Sequence, residues 1–87
     1  YLDSYGWGLF LNGDAARGIE YLERAVELDP RQVVILEHLG RALESTGRGA
    51  EAEAVFRRAL ELAPGNRELE DLIRSVRREG PDRDPVR

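Results

Sequence analysis

The sequence predicts an all-α protein, a short solenoid of helical hairpins, and three observations carry that expectation. Apolar residues recur at helical spacing, Gly-rich breaks separate the periodic segments, and the whole pattern returns after 34 residues. Shifting the chain by that period aligns Leu2 with Leu36, Gly6 with Gly40, Leu9 with Leu43 and Gly13 with Gly47. Ala16 meets Ala50, Arg24 meets Arg58, Ala25 meets Ala59, and Glu27, Leu28 and Pro30 meet Glu61, Leu62 and Pro64, giving 10 identities in 30 gapless positions. The matches include the glycines, alanines and prolines that set how closely helices approach and where they stop.

Each element follows from local signals. A first helix spans Leu2 to Leu11 and ends at the Asn12-Gly13-Asp14 turn. Asp14 is placed to cap a second, which carries Ile19 to Leu28 and stops before Pro30. In the next unit Ile35, Leu36, Leu39 and Leu43 mark a third helix, and Thr46-Gly47-Arg48-Gly49 breaks it. Ala52, Val55, Phe56, Ala59, Leu60 and Leu62 mark a fourth, with Glu51 and Glu53 near its positive end and Pro64 as its stop. Gly18 lies inside a helix at a cost of about 1 kcal/mol relative to alanine, so a tight crossing with Gly6 and Ala25 is expected there. Gly40, Ala52 and Ala59 predict the same in the second unit. Leu69, Leu72, Ile73 and Val76 then form the apolar stripe of a fifth helix, with Gly65-Asn66 as its cap.

Composition excludes much chemistry. The 87 residues hold no cysteine and one histidine, His38, so disulfides and thiol nucleophiles are absent and neither a zinc site nor a conventional triad has its parts. Ser4, Ser45 and Ser75 lack a nucleophile-elbow context and Gly6-x-Gly8 lacks the strand and spacing of a dinucleotide fingerprint, so no catalysis and no cofactor is expected. No window nears the roughly 18 uninterrupted apolar residues of a membrane span. All 13 basic residues are arginine, and the net charge of −4 sits within residues 1–30. An acidic chain without a basic stripe argues against nucleic acid and anionic lipid.

The 34-residue period and its marker residues resemble the tetratricopeptide repeat, whose motif runs Trp-x2-Leu-Gly-x2-Tyr, Ala-x3-Phe, Pro. The second unit reads Leu36-x2-Leu39-Gly40-x2-Leu43, Ala52-x3-Phe56 and Pro64. The first reads Leu2-x2-Tyr5-Gly6-x2-Leu9, Gly18-x3-Leu22 and Pro30. Leucine stands in both tryptophan slots, and Gly18 replaces the usual alanine. The expected organisation is repeat one over residues 1–31, repeat two over 32–65, a capping helix over 66–79 and a disordered tail over 80–87. The N-terminal stretch is apolar nearly all round, which predicts a helix covered on several sides by upstream repeats or by another molecule, a second copy included. Tyr1 at the start fits a fragment or a processed product.

The resemblance implies a non-catalytic scaffold whose inner helices line a concave groove for a peptide or protein partner. On the family pattern the groove slots are Asp3, Ser4, Trp7, Phe10, Val34, Glu37, His38, Arg41 and Glu44, with Glu68, Asp71 and Ser75 added by the cap. Asp3, Trp7, Phe10, Glu37, His38 and Arg41 are the candidate binding residues. Against this, Trp7 and Phe10 could equally pack on an upstream repeat. His38 is expected as a solvated surface histidine sooner than a ligand contact, and Asp3 and Glu37 as ordinary solvent-facing carboxylates. Family members that grip acidic chaperone tails use a cationic clamp; the corresponding slots here are Asp3, Trp7, His38, Glu68 and Leu72, and none matches. The stretches Leu2–Trp7, Tyr21–Ala25 and His38–Gly40 are similar to bacterial members, some of them envelope proteins of polysaccharide export or sorting. That similarity admits an assembly or secretion role, or a regulatory appendage of an enzyme; cytoplasm and periplasm both suit a chain without cysteine.

Overall fold

The computed structural model describes residues 2–79; Tyr1 and the expected tail at 80–87 lie outside the described residues. Five helices follow in order: α1 (Leu2–Leu11), α2 (Ala15–Leu28), α3 (Val33–Ser45), α4 (Gly49–Leu62) and α5 (Arg67–Glu79), with no strand among the described residues. Helix α1 packs on α2 and α3 on α4 as hairpins. The hairpins stack through α2 against α3, α5 lies on α4, and α1 also touches α3.

The turns inside both hairpins are built alike. After α1, the Gly13 N–H donates to the Phe10 carbonyl and the Asp14 N–H to the Leu9 carbonyl, with Gly13 at φ 95°. After α3, Gly47 donates to Glu44 and Arg48 to Leu43, with Gly47 at φ 82°. This is the Schellman arrangement, which satisfies the last carbonyls of a helix and needs a residue in the left-handed region. The Asp14 side chain then accepts from the Arg17 N–H at 3.3 Å, and Asn66 Oδ1 accepts from the Leu69 N–H at 3.1 Å, capping α2 and α5. Gly49 departs from expectation. It is the first residue of α4 and is buried, so the break between α3 and α4 is Thr46 to Arg48 alone.

The small residues do what their positions demand. A Cβ added at Gly6 would lie 2.9 Å from the Gly18 carbonyl oxygen, and one at Gly18 would lie 2.7 Å from that of Gly6. Both are below any separation that real Cβ atoms tolerate, so α1 and α2 meet backbone to backbone. In the second hairpin, a Cβ at Gly40 would fall 2.7 Å from Cδ1 of the Phe56 ring.

One core runs through the stack: Ile19, Leu22 and Val26 of α2, Leu36, Leu39, Ala42 and Leu43 of α3, Ala52, Phe56 and Ala59 of α4, and Leu69, Ile73 and Val76 of α5. Leu22, Leu36, Phe56 and Leu69 are wholly buried, each contributing roughly 1.5–3 kcal/mol of apolar burial. Helix α1 contributes least. Gly6 is its one buried residue, Phe10 packs at the edge of the core, and Tyr5 and Leu11 are exposed. Within the described residues, α2 and α3 are the elements that pack on α1 most, and its Tyr5 and Leu11 remain exposed.

Glu53 fastens the cap. Its carboxylate accepts from Arg57 at 2.9 Å and from Arg77 of α5 at 3.0 Å. The Arg57 hydrogen bond, then that of Arg77, holds this carboxyl below its ordinary range against a partial desolvation.

Candidate functional site

Residues three and four apart share a helix face, so Asp3, Trp7 and Phe10 form one stripe on α1, and Glu37, Arg41 and Glu44 form one on α3. Contact between α1 and α3 brings the stripes side by side. His38 Nδ1 lies 2.9 Å from Asp3 Oδ1. An ionised carboxylate only accepts, so Nδ1 carries the proton and donates it, which fixes the ring's orientation. The Trp7 indole stacks on this imidazole, with ring centroids 4.2 Å apart and planes 9° apart, and Phe10 stacks on Trp7 at 5.1 Å and 29°. Carboxylate, imidazole, indole and phenyl thus form a continuous row across two hairpins.

Arg41 completes the surface. Its Nε donates to Glu37 at 3.1 Å and its Nη2 to Glu68 of α5 at 2.9 Å, so one guanidinium ties the second hairpin to the cap. Trp7, Phe10, Arg41, Glu44 and Ser45 line a concavity of about 370 Å³. All six residues expected from the sequence fall in this one connected surface.

Two expectations about its members change. His38 is not freely solvated: its side chain is 22% exposed, because Asp3 takes its polar edge and Trp7 covers its face. Asp3 and Glu37 are not open carboxylates either; the first is bound to His38 and the second to Arg41, and both are mostly covered. Val34 and Ser4 are exposed, and Asp71 pairs with Arg74 on its own helix instead of joining the cluster.

Three links were missed at the sequence level: Asp3 with His38, Trp7 with His38, and Arg41 with Glu68. A signal existed for the first, since Asp3 and His38 are one period plus one residue apart, the offset that places neighbours on adjacent inner helices. The Arg41–Glu68 link had no such signal, because the cap diverges from the repeat.

The Ser45 hydroxyl donates to the Ala42 carbonyl within its own helix, and no group of three His, Cys, Asp or Glu side chains among the described residues could hold a metal ion. Aromatic faces, a forked cation and carboxylates remain, which are the elements of a binding surface.

Helical hairpins stacked at a fixed period, small residues at each crossing and a polar-aromatic inner face define a helical repeat protein. The tetratricopeptide repeat model matches residues 6–67, and the chain belongs to that family. The match begins midway along α1, runs through α2, α3 and α4, and stops at the start of α5. No curated protein matches the chain. Family membership indicates a role in protein–protein interaction, and modules of this kind are typically non-catalytic scaffolds. No helix of the described residues is long and apolar enough to cross a membrane.

Proposed function

We propose that the chain is a non-catalytic interaction module that takes an extended peptide segment of a protein partner along Asp3, Trp7, Phe10, Glu37, His38 and Arg41. Residues 1–31 and 32–65 are its repeat units and 66–79 the closing helix. The supporting observation is one of register. Trp7 and Phe10 correspond, one period on, to Arg41 and Glu44, and all four line the same concavity. The positions that an adjoining unit covers are different ones. Leu39 and Ala42 are 5% and 0% exposed inside the two-hairpin stack, and their counterparts are Tyr5, 50% exposed, and Gly8. Packing on a further unit thus accounts for Tyr5 and Gly8, leaving Trp7 and Phe10 to the groove. The Tyr5–Gly8 side is also where self-association through α1 has its place.

The test is a photo-crosslinking phenylalanine analogue introduced at Phe10, with Ala54 on the exposed side of α4 as control, in the cell that makes the protein. Crosslinks at position 10 that vanish on Trp7→Ala, with helicity by circular dichroism retained, bear the reading out. Crosslinks equal at both positions, or helicity lost in Trp7→Ala, defeat it.

A further inference from the structure

The charge around the concavity specifies what kind of segment it takes. Among the described residues, four carboxylates, of Asp3, Glu37, Glu44 and Glu68, stand in the connected surface with the guanidinium of Arg41, and His38 lies beside them. Arg41 is not waiting for an anion: Glu37 and Glu68 already engage two of its nitrogens. An incoming carboxylate would have to displace one of them and then face the rest. An incoming cation is opposed by Arg41 but attracted by carboxylates that outnumber that guanidinium at the described surface. Glu68 is 60% exposed, and a carboxylate has about four acceptor sites, of which Arg41 uses few.

The volume narrows the choice further. About 370 Å³ lies at the low end of ligand pockets, which run roughly 300–1,000 Å³, and suits one bulky side chain better than a cofactor. Trp7 and Phe10 give it an apolar, rigid wall, since the indole stacks with both His38 and Phe10. The opposite rim is Arg41, Glu44 and Ser45.

We infer that the bound segment is an extended basic peptide with one aromatic or branched apolar side chain, seated against Trp7 and Phe10 while its flanking arginines or lysines meet Glu44 and Glu68. This rests on the groove reading above. It makes association dependent on charge steering, and so on salt.

Three synthetic peptides test it, alike in a central phenylalanine and differing in flanks of arginine, glutamine or glutamate. Each is titrated into the 87-residue chain. Trp7, the sole tryptophan, reports by fluorescence, and amide NMR shifts locate the contact. The arginine peptide is expected to bind about tenfold more tightly than the glutamine peptide at low salt, the ratio falling towards one by roughly 0.5 M salt. The Glu44→Gln, Glu68→Gln double variant should lose most of that preference and keep its helicity. Equal binding of the arginine and glutamine peptides at Trp7, or tighter binding of the glutamate peptide, overturns the basic preference and leaves the groove standing. Shifts confined to Tyr21, Glu23 and Glu27 on the outer side of α2 overturn both. So does no response of Trp7 to any peptide up to about 1 mM, the weak end of useful affinity.

Discussion

The two hairpins solve one packing problem in two ways. Gly6 and Gly40 occupy the same register, yet Gly6 faces the backbone of Gly18 while Gly40 faces the ring of Phe56. The first hairpin closes by bringing two main chains together, with the smaller Leu22 where the second has Phe56. The second sets the aromatic ring of Phe56 over its glycine. Backbone cannot yield without separating the helices, whereas a side chain can be exchanged. Equivalent residues in a repeat therefore differ in how their substitution can be repaired.

The largest effect should come from the ring itself. Phe56→Ala is expected to cost about 3–5 kcal/mol in urea unfolding, and Leu22→Ala, its register partner, about 2–5, with the first the larger of the two. A smaller cost for Phe56→Ala would mean that α3 and α4 collapse onto the space. Next come the glycines. Gly6→Ala and Gly40→Ala each introduce overpacking of about 1–3 kcal/mol, offset in part by a helix-propensity gain of about 1 kcal/mol. Phe56→Leu should relieve Gly40→Ala in a double-mutant cycle, whereas no side-chain exchange at Leu22 should relieve Gly6→Ala; rescue of both would erase the distinction. Gly8 has the opposite sign. Nothing lies within 4 Å of a Cβ built there, so Gly8→Ala should stabilise the chain by about 0.5–1 kcal/mol, read as a raised thermal midpoint. Destabilisation instead would show another helix pressed against α1.

The smallest effect concerns the cap that only the second hairpin carries. Glu53 has its carboxyl lowered, chiefly by Arg57 and then by Arg77. A group depressed in the folded state stabilises it above the unfolded carboxyl range, near pH 4.3, and that contribution is lost as pH falls through the lower folded value. Stability of Glu53→Gln should therefore lose part of the acid dependence of the parent between about pH 5 and 3. Parallel pH curves would show that the pair adds nothing beyond solvation, as many exposed pairs do.

Much of the fold was legible because its causes are local. The Asp14 and Asn66 caps, the Gly13 and Gly47 turns and the prolines after α2 and α4 act within a few residues, so reading them in order places all five helices. The site was legible only as a set of positions. The family resemblance put Asp3, Trp7, Phe10, Glu37, His38 and Arg41 on inner faces. It gave no account of His38 as a covered, oriented ring, because the residues that cover it lie in the preceding hairpin.

By itself the sequence determined the period, the helix ends and which faces are apolar, since these follow from backbone geometry and side-chain type along a few turns. Tertiary structure decided what each inward position meets: carbonyl oxygen for Gly6, an aromatic ring for Gly40, Asp3 and Trp7 for His38, Glu68 for Arg41. Those outcomes depend on the distance and angle at which whole helices cross, and that is set by the summed packing of residues far apart in the chain.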